Sequence, residues 1–180
     1  MTAMRLEPGE DLAGGPPVSV ALFRLVFGIL YLDMALQKAP WVVGDGGRPF
    51  GWLYGFIWKQ INHPTFDFYP AFLKGVVLPN FTLFGYLTFL TEIALGLSFL
   101  LGVLTVLGGL GGALWQVNIA IGSYSVPGEW YWIWFLLIAP HLVFAHSRAG
   151  RRLGLDRLLR ARLAADGRER GGRRLLLRLT

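Results

Sequence analysis

Apolar residues along the chain fall into four long runs separated by glycine, proline and polar turns. The runs cover about residues 18–38, 81–101, 103–122 and 129–146, each close to the roughly 20 residues a helix needs to cross the hydrocarbon core. Pro16 and Pro17 stand where proline is tolerated at a helix start, and Gly102 marks the turn between the second and third runs. The pattern predicts an all-α integral membrane four-helix bundle over residues 18–146. In the third run, Gly108 and Gly112 form a GxxxG pair. Such a pair lets helix backbones approach closely in lipid, and ordinary helix packing explains it.

About 40 residues between the first two runs are too many for a structureless loop in a compact bundle. The segments Gly51 to Ile61 and Phe66 to Leu78 are rich in aromatics but broken by Gly, Pro and Lys. They predict short interfacial helices in the first extracytoplasmic connection, where Trp and Tyr favour the membrane boundary.

Composition agrees with a membrane class: 54% of the 180 residues are hydrophobic and 16% charged. The net charge of +6 is unevenly spread, because residues 147–180 hold eleven arginines against Asp156, Asp166 and Glu169. Positive residues next to a span stay inside, so the C-terminus is expected in the cytoplasm. Four spans return residues 1–17 to the same side, giving a multi-pass protein of the plasma (inner) membrane with both termini cytoplasmic. The N-terminal stretch carries Glu7, Glu10 and Asp11 and lacks a signal peptide's basic n-region, so the first span is expected to be retained. In the tail, Leu155, Leu158, Leu159 and Leu163 share one face among arginines, as in a basic amphipathic helix lying on the inner leaflet. Its partner is membrane lipid rather than nucleic acid. The absence of cysteine excludes thiol relays, cysteine-ligated clusters and c-type haem attachment.

Ionisable residues inside spans are costly, so Arg24, Asp33 and Glu92 call for partners or a polar cavity. Arg24 lies about 9 Å from the start of the first span and Glu92 about 13 Å from the end of the second. These depths predict an Arg24–Glu92 pair, whereas Asp33 points away from Arg24. Gly85, Thr88, Glu92 and Gly96 form a small and polar stripe, and His141 comes within reach of the same inner layer. Arg24, Glu92 and His141 are therefore the candidate catalytic residues, with a purely structural ion pair as the alternative. A second polar layer of Asp33, Lys38, Gln116 and Asn118 is expected nearer the outside. His141 and His146, five residues apart, do not share a helix face and make a poor metal or haem pair. In the outer connection Arg48, Lys59 and Lys74 either bind an anionic substrate or snorkel toward headgroups.

Three stretches carry a family resemblance: RLVFGILYLDMALQKAPW, TEIALGLSFLLGVLTVLGGLGGALWQVN, and AGRRLGLDRLL after the last run. In order and spacing the chain resembles the DoxD/DoxX family, specifically the DoxD-type subunit of thiosulfate:quinone oxidoreductase. The match falls on Arg24, Gly28, Lys38, Trp41, Glu92, Gly96, Gly102, Gly150, Arg151, Gly154 and Asp156. Where that family often has a basic residue after the threonine of the span-two to span-three turn, this chain has Val106. The resemblance implies a membrane subunit that passes electrons from thiosulfate or a related reduced sulfur anion to quinone, working with a second protein subunit. A non-catalytic membrane scaffold or assembly protein is the other reading.

Overall fold

A computed structural model of the chain describes residues 15–165, 176, 177, 179 and 180. Most of the polar N-terminal segment and the later tail lie outside the described residues. Every regular element among the described residues is helical. Helix α1 spans Val18–Gln37, α2 Leu53–Asn62 and α3 Phe68–Phe72, which continues as a π-helix over Leu73–Val77. Then come α4 (Phe81–Leu101), α5 (Thr105–Ser123), α6 (Ile133–Ser147) and α7 (Leu155–Ala165).

Helices α1, α4 and α5 are long and apolar enough to cross a membrane. The fourth apolar run gives a shorter helix. Pro127, Gly128 and the aromatic residues to Trp132 are spent on turns, leaving α6 with 15 residues. On the outer surface of α1, Leu22, Val26 and Ile29 are 52%, 60% and 60% exposed. That face suits lipid and would be a liability in water.

Glycines set the packing. Gly28 of α1 lies against the backbone of Leu100, and Gly96 of α4 against Leu32. The two contacts are four residues apart on each helix in opposite directions, which defines an antiparallel register for α1 and α4. A Cβ on Gly28 would come 2.5 Å from the Leu100 nitrogen, so only glycine allows this approach. Helix α6 packs antiparallel on α5 in the same manner. Gly109 meets the His141 carbonyl and Ala145, and Gly112 meets the His141 ring. Gly108 turns instead toward Ser98 and Phe99 of α4. The GxxxG pair is thus a packing device within one chain.

The α4–α5 turn is held by the start of the tail. Gly102 (φ 64°) and Leu104 (φ 50°) both take left-handed backbone, which costs a leucine energy. Asp156, fully buried, accepts from the backbone N–H groups of Leu104 (2.6 Å) and Thr105 (3.0 Å) and from the Thr105 hydroxyl (2.7 Å). The carboxylate thereby caps the N-terminus of α5 and holds the strained turn. The Asp156 N–H donates to the Gly102 carbonyl at 2.8 Å, and Gly150 donates to the Thr105 hydroxyl at 3.0 Å. Gly150 and Gly154 leave room for this contact, since a Cβ on either would strike Asp156 or Gly102.

At the other end, the connection between α1 and α4 is helical, as its aromatic segments predict. Phe50, Ile57, Ile61, Tyr69, Leu73, Val77 and Phe81 form its own apolar core. Gly122 of α5 receives the Tyr69 ring, and Gln60 donates to the Ser123 hydroxyl at 2.7 Å. Burial pushes the Tyr69 phenol above its ordinary range.

Candidate functional site

Arg24 and Glu92 do not pair. Extending the α1–α4 register places Arg24 level with Leu104 and Glu92 level with Leu36, about 18 Å apart along the helices. The depth estimate failed because α1 begins well beyond the end of α4, overlapping the α4–α5 turn rather than starting level with it. Buried Arg24 donates to the carbonyls of Phe99, Leu100 and Leu153, the last at 2.9 Å. Its guanidinium also lies within electrostatic range of Asp156. A Cβ on Gly102 would meet the guanidinium at 2.7 Å. Arg24 therefore ties three segments together at the α4–α5 turn.

Glu92 pairs instead with Lys38, whose Nζ lies 2.9 Å from Oε1 with the side chains 5% and 3% exposed. Lys38 also sits over the Trp52 ring, 4.5 Å from its centroid, a cation–π contact from the connection between α1 and α4. The other carboxylate oxygen, Oε2, is buried and has no hydrogen-bond donor.

Between these two levels lies a hydrogen-bonded chain across three helices. His141 Nδ1 is 2.5 Å from the Leu137 carbonyl, and Nε2 is 2.8 Å from the Tyr31 hydroxyl. The carbonyl can only accept, so Nδ1 carries the proton, and in a neutral imidazole Nε2 is then an acceptor. Tyr31 must donate to Nε2, which leaves its oxygen to accept from Gln116 Nε2 at 2.7 Å. One backbone carbonyl thus orders the whole sequence from Gln116 through Tyr31 to His141. Gln116 Oε1, also buried, is left without a donor. Phe27, Phe99 and Phe144 surround this chain with apolar rings.

The expected inner layer therefore resolves into separate tiers, with His141 in the middle tier and neither Arg24 nor Glu92 hydrogen-bonded to it. The expected second layer also divides. Lys38 joins Glu92, Gln116 joins Tyr31, and Asn118 is exposed. Asp33 accepts from Gln37 at 2.7 Å on an exposed face. Tyr31 is the principal residue that the charge-based search missed. Its signal was position, since it lies on the same α1 face as Gly28, Ala35 and Lys38. Thr105 gave no comparable signal.

Arg48 in the loop before α2, Lys59 on α2 and Lys74 on the π-helix are all exposed. Arg48 stacks on the Tyr54 ring at 4.2 Å. No group of three or more His, Cys, Asp or Glu residues suited to a metal occurs among the described residues.

Comparison with known families matches residues 67–169 to the family model for DoxD, described as the TQO small subunit DoxD. No curated protein and no solved structure matches the chain.

Proposed function

Because the chain belongs to the DoxD family, we propose that it is the membrane subunit of a quinone-linked oxidoreductase that draws electrons from thiosulfate or a related reduced sulfur anion. The observation that carries this reading is the Gln116–Tyr31–His141 chain, which ends in a buried acceptor with no donor. Buried polar groups left unpaired are expensive, and an unpaired acceptor such as Gln116 Oε1 suits a ligand that donates from a hydroxyl, as a reduced quinol does. A quinone supplies two-electron acceptor chemistry that needs two protons, and no side chain of this cysteine-free chain offers a substitute.

The chain's own contribution is to bind that headgroup and move protons. With His141 protonated on Nδ1 alone, a proton presented to the Tyr31 oxygen can pass to Nε2 as Tyr31 releases its own. With both ring nitrogens protonated, the same chain runs in reverse and Tyr31 delivers a proton outward. Gln116 holds the Tyr31 oxygen in place in either state. Glu92 Oε2 is a second acceptor within electrostatic range of Tyr31. Arg24 acts at a distance, as a positioning residue for the inner turn. Exposed Arg48, Lys59 and Lys74 would raise the local concentration of the anion at the outer surface.

In this reading α6 is a fourth span, extended by the turn over Trp130 to Trp132. Helices α2 and α3 lie at the outer interface, and both termini are cytoplasmic in the inner membrane. A second protein subunit completes the path from the sulfur anion. Quinone extraction from purified protein, followed by titration of the added quinone, tests the proposal directly. Quinone bound in about one-to-one ratio supports it. Protein that neither carries nor takes up quinone favours the scaffold reading.

A further inference from the structure

Helices α1, α4, α5 and α6 pack as two close pairs, α1 with α4 and α5 with α6, while backbone contact between α1 and α6 is sparse. Between α1 and α6 the surface opens into a groove of about 530 Å³. Phe23, Phe27, Leu30, Leu137, Pro140 and Val143 line it, all apolar. Resting on the quinone reading above, we infer that this groove seats the aliphatic chain of a lipid-soluble quinone and admits its ring to Tyr31 and His141.

Three observations select that occupant. First, the groove and the hydrogen-bonded chain share a wall. The Phe27 ring stands edge-on to His141 at 5.6 Å, and Leu137, which lines the groove, supplies the carbonyl that fixes His141 Nδ1. Second, Pro140 has no N–H, so the Leu136 carbonyl, one helical turn earlier, lacks its usual donor at the groove's edge. The site thus combines an apolar trough with an unspent acceptor, which the hydroxyl of the reduced quinol can meet by donating to it. Third, Leu30 and Pro140 lie near the middles of their helices. A phospholipid's charged headgroup is not held at that depth, whereas an uncharged quinone ring is at home there. Phe27 is the side chain that must turn for the ring to pass.

The test uses the full chain in lipid nanodiscs, with decylubiquinone as the titrant and a photoreactive azidoquinone as the label. Ala139→Trp adds bulk to the groove from an exposed position, and Leu30→Trp fills it from the opposite wall. Leu114→Trp, at a residue of α5 that is 72% exposed, is the control. The expected result is peptide labelling confined to α1 and α6 and an affinity at least tenfold weaker in both groove variants. Their melting temperatures and the control's affinity should be unchanged. Unchanged affinity in Ala139→Trp and Leu30→Trp, with labelling on α4 near Glu92, would overturn the groove while leaving quinone binding intact. Saturating phospholipid in the groove that decylubiquinone does not displace would also overturn it. A wild-type chain that binds no quinone would remove the functional reading itself.

Discussion

Lys38, just past the end of α1, and Glu92, midway along α4, form a buried ion pair whose second carboxylate oxygen has no donor. Removing either partner strands the other, at roughly 3–5 kcal/mol for an uncompensated buried charge. Lys38→Leu and Glu92→Leu should each sharply lower the yield and melting temperature of purified protein. The double variant should regain much of the loss. Arg24→Leu combined with Glu92→Leu should show additive losses instead, because those side chains act about 18 Å apart. Thermal unfolding of the six proteins, wild type included, gives both coupling energies. Coupling between Arg24 and Glu92, with none between Lys38 and Glu92, would contradict the register.

Neighbouring glycines on α5 should respond in opposite directions. A Cβ at Gly112 would sit 2.2 Å from His141 Cδ2, whereas at Gly111 nothing lies within 4 Å. Gly112→Ala should therefore destabilise by about 1–3 kcal/mol through overpacking and should displace the imidazole from Tyr31. Gly111→Ala should be neutral or stabilising by up to about 1 kcal/mol, the usual helix gain. Differential scanning fluorimetry reads both, and equal effects from the two changes would show that α5 presents a different face to α6.

These comparisons mark where the sequence was readable. Hydropathy defined α1, α4 and α5 to within about two residues, because in lipid an apolar run and a helix are nearly the same physical requirement. Residues that carry the resemblance separate by role: Gly28 and Gly96 set a register, while Gly102, Gly150, Gly154 and Asp156 build the α4–α5 turn. Charge pairing was not readable. Depth counted from helix ends assumes that the ends are level, and α1 overhangs α4 by several residues. Tyr31 was passed over because a neutral hydroxyl carries no insertion penalty comparable to a charge, yet it is the hinge of the central chain. The shorter α6 escaped for a related reason: an aromatic run at a boundary continues the hydropathy of a helix without continuing its backbone.

The α4–α5 turn should depend on one carboxylate. Asp156 satisfies two helix N-terminal amides and the Thr105 hydroxyl, and it holds Leu104 in left-handed backbone. Asp156→Ala should cost about 1–3 kcal/mol for the donors left unsatisfied. The loss should be local. Hydrogen exchange should quicken first over residues 102–106 and 149–156, with protection along the middle of α1 and α4 retained. Unchanged exchange at Leu104 and Thr105 would mean that the turn holds its shape without the cap.

The central chain yields the sharpest functional prediction. Tyr31→Phe keeps the ring that packs against Phe99 and His141 and removes only the oxygen that links Gln116 to His141. If the chain moves protons, quinone reduction should fall by about 10²- to 10⁴-fold, the usual worth of a positioned acid–base group. The protein should remain folded, although less stable because two buried groups lose a partner. Glu92→Gln offers a contrast, since its amide oxygen can still accept from Lys38 while the carboxylate charge is gone. A large loss in Tyr31→Phe with a small one in Glu92→Gln assigns proton transfer to the middle tier. The reverse pattern assigns it to Glu92. Should folded Tyr31→Phe turn over quinone at the wild-type rate, the Gln116–Tyr31–His141 chain would be a device for fixing helix register, and the acid–base role proposed for His141 would fall with it.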